Sequence, residues 1–308
     1  MVKSKTVGER LFHIINVAVM MVVIVVSIYP FYYALINSMN TGIQVMKGMS
    51  SFWPEDFTLE AWKTVLNDQA VIKAFGLTLA RTLIVTVAST IFTSMFAYAY
   101  SRTYLTGKKF YTALGFVCMY FSGGVIPYFL LISRLGLYDS FWVYILPSLF
   151  GGFYNVIIFN TNFKALPESL FESAKLDGAT EFGMYWKILM PLSKPVLAAL
   201  CVFTAVGVWN DYITTLYYTQ TPDLQTLQYF ILKLVRSYNA TEQLASNAMA
   251  NSAAVASTLN NSRLGSGVVN SKTIELAAMV LASLPMIIAY PFAQKYFVQG
   301  VLLGSVKG

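Results

Sequence analysis

The chain of 308 residues has few charged side chains: Lys, Arg, Asp and Glu make up 11% of it, whereas 56% of its residues are apolar. Soluble domains carry about 25% charged residues, so this composition argues against a water-soluble fold and favours a membrane protein. A helix crosses a bilayer with about 20 mostly apolar residues. The length therefore allows several membrane spans but no large soluble domain.

Residues that usually carry catalysis or bind metals are also scarce. The sequence has one histidine, His13, and two cysteines, Cys118 and Cys201, and all three lie in apolar segments or at their start. A disulfide framework is therefore unsupported, and no metal-ligand spacing or nucleophile motif is present. Because the Gly-x-x-x-x-Gly-Lys-Ser/Thr phosphate loop is absent, we expect no cofactor and no enzymatic activity in this chain.

Six apolar segments are predicted to be transmembrane helices, so the expected fold is an all-α membrane protein. The first contains no charged residue and no small-residue cleavage site, which favours an uncleaved span over a signal peptide. The six segments are Leu11–Ile36, Ala74–Tyr100, Phe110–Leu131, Phe141–Phe163, Val196–Tyr218 and Ile274–Tyr290.

Lysines and arginines are concentrated in the short segments on one side of these spans, including the N-terminus, the loop 164–195 and the C-terminal tail. Cytoplasmic loops of membrane proteins are enriched in Lys and Arg, so both termini and this loop are expected in the cytoplasm. Positive-inside topology also explains the net charge of +7 better than nucleic acid does, and no nucleic acid partner is expected.

Two parts of the chain are distinguished by this topology. Residues 1–73 are expected to form the first span and an extracytoplasmic loop, in which Leu59–Leu66 has the pattern of a short helix. Residues 74–308 are expected to form the main transmembrane domain, with a second outer loop at 220–272. Part of that loop is rich in Asn, Ser and Ala, which suits either contact with an extracellular protein or a passive insertion. Within it, Leu244–Leu259 has the pattern of a weak helix.

The polar loop 164–195 has the signals of two short helices joined by a sharp turn. Pro167 suits the first turn of a helix, Gly178 suits the left-handed residue that ends it, and Thr180 can cap the second helix. Pro191 and Pro195 are expected to close that second helix. On this pattern alone, an ordinary amphipathic surface loop explains the residues as well as a functional element does.

The third span contains Tyr120 and then Ser122, Gly123 and Gly124. Two adjacent glycines weaken or kink a membrane helix, which is tolerated where protein or a cavity surrounds the freed backbone. The alternatives are close helix packing through the small residues and a hinge that lines a substrate pathway.

The fifth span contains the run Trp209, Asn210, Asp211 and Tyr212. An acidic residue inside a span indicates a functional site, and aromatic rings beside an amide suit the recognition of sugar rings. Anchoring at the membrane interface by the aromatic residues is an equal alternative. Arg81, near the start of the second span, is expected to snorkel to the outer interface.

The loop 164–195 also resembles the EAA loop of the permease subunits of ABC importers. Ser173 stands where that family usually has Ala, and Met190 where Leu is usual. The C-terminal tail from Tyr290 to Gly308 is similar to the ending of maltose-type sugar permeases and narrows the resemblance to carbohydrate permeases, especially their complex-oligosaccharide branch. The loop residues that carry the resemblance are Glu172, Ser173, Ala174, Asp177, Gly178, Ala179, Ile188 and Pro191.

This resemblance implies a non-catalytic subunit of an ATP-driven importer in the cell membrane. The implied partners are a second permease, two cytoplasmic ATPase subunits that bind ATP and Mg²⁺, and an extracytoplasmic sugar-binding protein. The residues implied to contact the ATPase are Glu172, Ser173, Ala174, Leu176, Asp177, Gly178, Ala179, Ile188 and Pro191. Those expected to line the substrate pathway are Tyr120, Ser122, Gly123, Trp209, Asn210, Asp211 and Tyr212.

Three alternatives stay open on the residues. An ABC permease for amino acids or peptides would share the loop but not the C-terminal ending. A secondary transporter would use acidic residues such as Asp211 or Glu275 for ion coupling. A membrane scaffold protein would explain the apolar spans but not the loop around Gly178.

Overall fold

A computed structural model describes residues 7–46, 48, 52–237 and 269–305, and the regular elements in this part of the chain are all helices. The predicted weak helix Leu244–Leu259 lies outside the described residues. The helices are α1 (Val7–Ser38), α2 (Gly42–Met46), α3 (Glu60–Asn67), α4 (Gln69–Ser101), α5 (Lys108–Tyr120), α6 (Val125–Arg134), α7 (Trp142–Ile145), α8 (Phe153–Lys164), α9 (Glu168–Leu176), α10 (Glu181–Met184), α11 (Met190–Leu192), α12 (Lys194–Asn210), α13 (Ile213–Tyr218), α14 (227–237) and α15 (Ser271–Ser305).

Three helical stretches are each long and apolar enough to cross a membrane: α1, α4 and the Ser271–Pro291 part of α15. Three further candidates are bent pairs: α5 with α6 at 112°, α7 with α8 at 47°, and the segment Glu181–Leu192 with α12 at 84°. The described residues thus contain three candidate spans, or up to six if each bent pair is one span. The six predicted segments fall on these helices.

The break between α5 and α6 explains the glycine pair of the third span. Phe121 leaves the helix with extended backbone, and Gly124 adopts φ +84°, which side chains disfavour. The Ser122 hydroxyl accepts a hydrogen bond from the Gly124 amide at 3.3 Å. A Cβ at Gly124 would meet nothing within 4 Å, so close helix packing does not explain this glycine. The predicted kink is therefore a complete break, at which the helix direction changes by 112°.

The chain divides into two compact units. In the first, Trp62 of α3 donates through Nε1 to Ser38 Oγ at 3.0 Å, and Asn270 donates through Nδ2 to the Gly42 carbonyl at 2.9 Å. The short helix α3 confirms the predicted helix in this region, and it buries Ala61. The first unit contains Met1–Gln69 and Ile231–Ser283, and the second contains Ala70–Phe230 and Leu284–Gly308.

The second unit is organised around α4. This helix has no proline, and its buried residues recur at helical spacing and are mostly small or polar, which permits close helix packing. At its middle, Val85 packs with Ile132 and Tyr144. Near its C-terminal end, Ala97 and Tyr98 belong to a second apolar cluster. Its other members come from α8, the 168–192 segment and α12, including Phe153, Val156, Phe159, Phe163, Phe171, Met184, Tyr185, Leu189, Leu197 and Leu200.

We expect Gly115→Ala in α5 to destabilise the protein. A Cβ at this position would lie 2.4 Å from ring atoms of Phe153, and overpacking of this kind costs about 1–3 kcal/mol. Gly76→Ala in α4 is the matched control, because a Cβ there would meet nothing within 4 Å and alanine favours the helix by about 1 kcal/mol. Thermal unfolding in detergent should show a lower midpoint for Gly115→Ala only; equal midpoints would contradict the close contact of α5 with α8.

Candidate functional site

The turn between α9 and α10 is built as the sequence predicts. Gly178 adopts φ +78°, and the Ala179 amide donates to the Ala174 carbonyl at 2.9 Å, which closes the end of α9. The Thr180 hydroxyl accepts from the Gly183 amide at 3.1 Å and caps α10. These hydrogen bonds satisfy backbone groups at both helix ends, so the turn has a defined conformation.

The second helix of this loop ends between the two prolines that were expected to close it, Pro191 and Pro195. After α10 it widens into a π-helical turn over Tyr185–Leu189 and continues as α11 to Leu192, one residue past Pro191. π-Helical turns are rare and often occur at functional sites. Only the bend at Ser193, before α12, ends the segment.

An arginine at the end of α4 holds the loop against the rest of the unit. The Arg102 guanidinium carbon lies 3.9 Å from the ring centroid of Phe171 in α9 and 4.3 Å from that of Tyr98 in α4. A guanidinium over an aromatic face is attracted by the ring, by about 0.5–2 kcal/mol. Phe171 is buried, so α9 is fixed to the end of α4 through this stack.

Glu181 joins the same region to α10. Its carboxylate accepts hydrogen bonds from the hydroxyls of Tyr98 at 2.7 Å and Tyr104 at 2.6 Å, and it pairs with Lys175 at 3.1 Å. Burial alone would raise the pKa of Glu181, but these hydrogen bonds and the lysine hold it below its usual value. Burial and the bond to Glu181 raise the pKa of Tyr104 to about 12. At neutral pH the acid is therefore ionised and both tyrosines donate.

The surface of the loop away from this anchor is exposed and partly apolar. The Leu176 side chain is 90% exposed and Phe182 is 63% exposed. Ala174 and Ile188, by contrast, are half-buried and pack against the core. The other predicted contact residues of the loop are exposed: Glu172, Ser173, Asp177, Gly178, Ala179 and Pro191. The outer face of the loop thus combines polar residues with two large exposed apolar side chains.

A buried ion pair organises the end of the fifth span. Arg81 is 1% exposed and pairs through Nη2 with the Asp211 carboxylate at 3.3 Å. The same nitrogen donates to the backbone carbonyls of Val208 and Asp211. The guanidinium carbon also lies 4.8 Å from the ring centroid of Tyr144. The expected snorkelling of Arg81 to the interface is therefore wrong, because carbonyls and an acid within the protein replace water around it.

Asp211 has a second role at the same place. Its Oδ1 accepts from the amides of Ile213 at 3.0 Å and Thr214 at 3.2 Å, and so caps α13. The fifth span consequently divides at Asp211 into α12 and α13. The acidic residue holds together a helix break and is already paired with a cation.

The remaining predicted pathway residues of the fifth span differ in their exposure. Trp209 is 1% exposed and packs edge-on against Phe75, with ring centroids 5.8 Å apart. Its ring is therefore covered and presents no face to a ligand. Asn210 and Tyr212 are exposed, and Asn210 Nδ2 donates to the Val206 carbonyl at 3.0 Å.

Two predicted pathway residues, Ser122 and Gly123, line a cavity of about 430 Å³ at the α5–α6 break. Tyr128 and Tyr218 line it as well, and their rings lie 5.5 Å apart in an edge-to-face arrangement. The volume is within the range of small-molecule sites, about 300–1,000 Å³. Tyr120 is 73% exposed but is not part of the lining. Sequence reasoning missed the two tyrosines because each lies in an ordinary apolar run.

Comparison with known proteins identifies the family. Residues 2–303 match the family described as binding-protein-dependent transport system inner membrane component. The chain belongs to this family. It is a multi-pass membrane permease subunit of an ABC importer, which confirms the resemblance based on the loop and the C-terminal tail.

The permease is similar to curated proteins of Bacillus subtilis (strain 168) over nearly their whole length. It is 34% identical to Protein LplC, covering 98% of this chain and 97% of that protein. It is also 34% identical to the polygalacturonan/rhamnogalacturonan transport system permease protein YtcP, covering 97% and 99%. A further relative is the arabinooligosaccharides transport system permease protein AraQ of Halalkalibacterium halodurans, 25% identical, with 92% of each chain covered.

A solved structure shares the fold. The permease superposes with a TM-score of 0.80 and 28% identity on a chain from the crystal structure of a bacterial ABC transporter involved in the import of the acidic polysaccharide alginate. The match covers 96% of this chain and 99% of that chain. The helix order described above is therefore that of a known importer subunit.

We expect Asp211→Ala to destabilise the permease more than Asp211→Asn. Both changes leave Arg81 buried without its carboxylate, but asparagine can still accept from the amides at the start of α13. Loss of such a cap costs about 1 kcal/mol. Thermal unfolding in detergent should rank wild type first, Asp211→Asn second and Asp211→Ala last. Identical values for the two variants would show that the cap contributes nothing.

Proposed function

We propose that this permease forms half of the translocation pathway of an ATP-driven importer for carbohydrate, in particular for a complex oligosaccharide. Its relatives support this substrate class, since they include a polygalacturonan/rhamnogalacturonan permease and an arabinooligosaccharide permease. The similarity to a subunit of the alginate importer supports the same class. The domain division at residue 73 and the position of both termini in the cytoplasm are part of this proposal.

The loop 164–195 is proposed as the cytoplasmic coupling loop that contacts an ATPase subunit. The observation that carries this proposal is the exposed Leu176, next to Asp177 and Gly178, on a turn whose helix ends are hydrogen-bonded. Leu176 and Phe182 are both exposed on this one loop, and apolar side chains gathered on a rigid turn suit contact with a partner protein. Glu172 and Ser173 lie exposed on the same helix and complete the contact surface.

The partners follow from what this chain lacks and from its family. The sequence has no phosphate-binding loop, so two separate ATPase subunits are proposed to bind ATP and Mg²⁺. A second permease would supply the other half of the pathway. Because the family is binding-protein-dependent, an extracytoplasmic sugar-binding protein is proposed to deliver the substrate.

The substrate pathway is proposed to include the cavity lined by Ser122, Gly123, Tyr128 and Tyr218. Tyrosines suit sugars because the ring packs on the apolar face of a pyranose while the hydroxyl can exchange hydrogen bonds. Tyr120, Asn210 and Tyr212 are exposed near the breaks of their spans and are proposed to contribute. Trp209 and Asp211 would act instead by supporting the fifth span.

Ion-coupled transport is disfavoured by the state of the acidic residues. Asp211 pairs with Arg81, and Glu275 pairs with Lys272 at 2.9 Å. An ion-coupling acid has to gain and lose its ion during transport, and an acid that is already paired with a buried cation, as Asp211 is, does so only at high cost. This agrees with membership of the ABC importer family.

We expect Gly178→Val to reduce stimulated ATP hydrolysis of the assembled importer by tenfold or more. A β-branched residue at φ +78° is strained, so the turn should move Leu176 and Asp177 away from their contact. Gly136→Val is the matched control, because Gly136 has φ +68° and lies in a different loop, between α6 and α7. The measurement is ATPase activity of the purified complex in liposomes. Normal activity of Gly178→Val, with the control also normal, would refute the coupling assignment.

A further inference from the structure

The helix α4 has two attachments that the coupling loop alone does not explain. In its first half it carries Arg81, which holds the break between α12 and α13. Just beyond its C-terminal end is Arg102, which holds α9. The two arginines are 21 positions apart, so at about 1.5 Å per residue they are separated by roughly 30 Å. A single helix therefore connects the loop to a break in another span.

The Arg102 contact is made by ring faces. Its guanidinium lies between the rings of Tyr98 and Phe171, and its buried Nε has no hydrogen-bond partner among the described residues. The planar, delocalised guanidinium stacks on two faces at once, which an ammonium group does poorly. The stack therefore fixes both the distance and the orientation of α9 relative to α4.

A second set of hydrogen bonds joins the other helix of the loop to α4. Glu181, the first residue of α10, accepts from Tyr98 in α4 and from Tyr104 just beyond α4. Tyr185 in the π-helical turn shares a hydrogen bond of 2.7 Å with Ser94 in α4. Both helices of the loop are thus joined to α4, and a displacement of the loop has to move α4 or break these contacts.

The middle of α4 is suited to carry such a displacement. The helix runs for 33 residues without proline, and packed small and polar residues flank it on its buried face. Helices bend sharply at prolines, π-bulges or inserted groups, and α4 has no proline among its residues. A push at Arg102 is therefore expected to arrive at Arg81, about six turns back along the helix.

We propose that α4 transmits movement of the coupling loop to the break at Asp211, with Arg102 as the positioning residue that joins the loop to α4. This inference rests on the proposed function of the loop 164–195. In the assembled importer, ATP binding displaces α9, Arg102 moves α4 with it, and Arg81 shifts the backbone around Val208 and Asp211. Exposed residues at that break, such as Tyr212, then change their accessibility.

Cysteine accessibility in the complete importer tests the proposal without knowledge of the sugar. The reporter is Tyr212→Cys in a background with Cys118→Ser and Cys201→Ser, assembled with the partner permease and ATPase subunits in liposomes. The probe is a water-soluble maleimide, and its rate of reaction is compared with and without nucleotide trapped by vanadate. We expect trapping to change the labelling rate of the reporter. Adding Arg102→Ala should reduce that change at least about fivefold, which is the lower end of the range that energetic coupling between two sites usually spans.

Companion variants separate a transmission role from a merely structural one. Phe171→Leu keeps a buried apolar side chain but removes one ring face and should act like Arg102→Ala, whereas Phe171→Tyr keeps the face and should retain the change. Combining Arg102→Ala with Phe171→Leu should add little, because both remove the same contact. Arg134→Ala, at an exposed arginine in the last turn of α6, is the control and should leave the change intact.

Failure of this inference and failure of the proposed function give different results. If the unsubstituted permease fails to recruit or stimulate an ATPase, the proposed function is wrong. If the reporter recruits the ATPase but trapping leaves its labelling rate unchanged, or if Arg102→Ala retains the full change, transmission through α4 is refuted. If Arg102→Ala loses the ATPase or no longer traps nucleotide, Arg102 acts in docking and the inference is also overturned. If Arg102→Ala still traps nucleotide but no longer shows the change in labelling rate, the inference is supported.

Discussion

The need to satisfy backbone hydrogen bonds inside a bilayer constrains this structure more than any other factor. A break in a spanning helix frees carbonyls and amides that lipid does not bind. At the break after α12, Arg81 donates to the carbonyls of Val208 and Asp211, while the Asp211 carboxylate accepts from the amides of Ile213 and Thr214. The ion pair thus supplies the hydrogen bonds that the interrupted helix gives up.

The same constraint explains why a costly charge pair lies between otherwise apolar helices. A buried ion pair is weak evidence for stability, since desolvation offsets much of the attraction. Here Arg81 and Asp211 each also form hydrogen bonds with backbone groups. Loss of either side chain would therefore leave several backbone groups without a partner. The break in turn exposes Asn210 and Tyr212 at a point where a continuous helix would present a regular apolar face. Structural support and the exposure of polar side chains at the break therefore come from one arrangement.

The sequence predicts the segments that become helices better than it predicts their directions. Hydropathy reads composition along the chain, so it located all six apolar segments, and residue chemistry located the turn at Gly178 and the cap at Thr180. Neither signal reports that α5 and α6 meet at 112°. Nor does either report the pairing of Arg81 with Asp211, 130 positions away, because burial of Arg81 depends on which helices pack around it. For the same reason, the sequence predicts Trp209 to be a pathway residue, whereas in the structure Phe75 covers its ring.

A loop that couples two proteins has to combine an apolar outer surface with a fixed orientation, and the two demands conflict. Apolar contacts alone are non-directional, so a loop held only by Phe171 could slide over the core without large cost. Directional contacts remove that freedom: a guanidinium stacked between two rings defines a plane, and a carboxylate that accepts from two hydroxyls defines a rotation. Arg102 and Glu181 supply these contacts on the inner side of the loop. Leu176 can therefore stay exposed on the outer side without making the loop mobile.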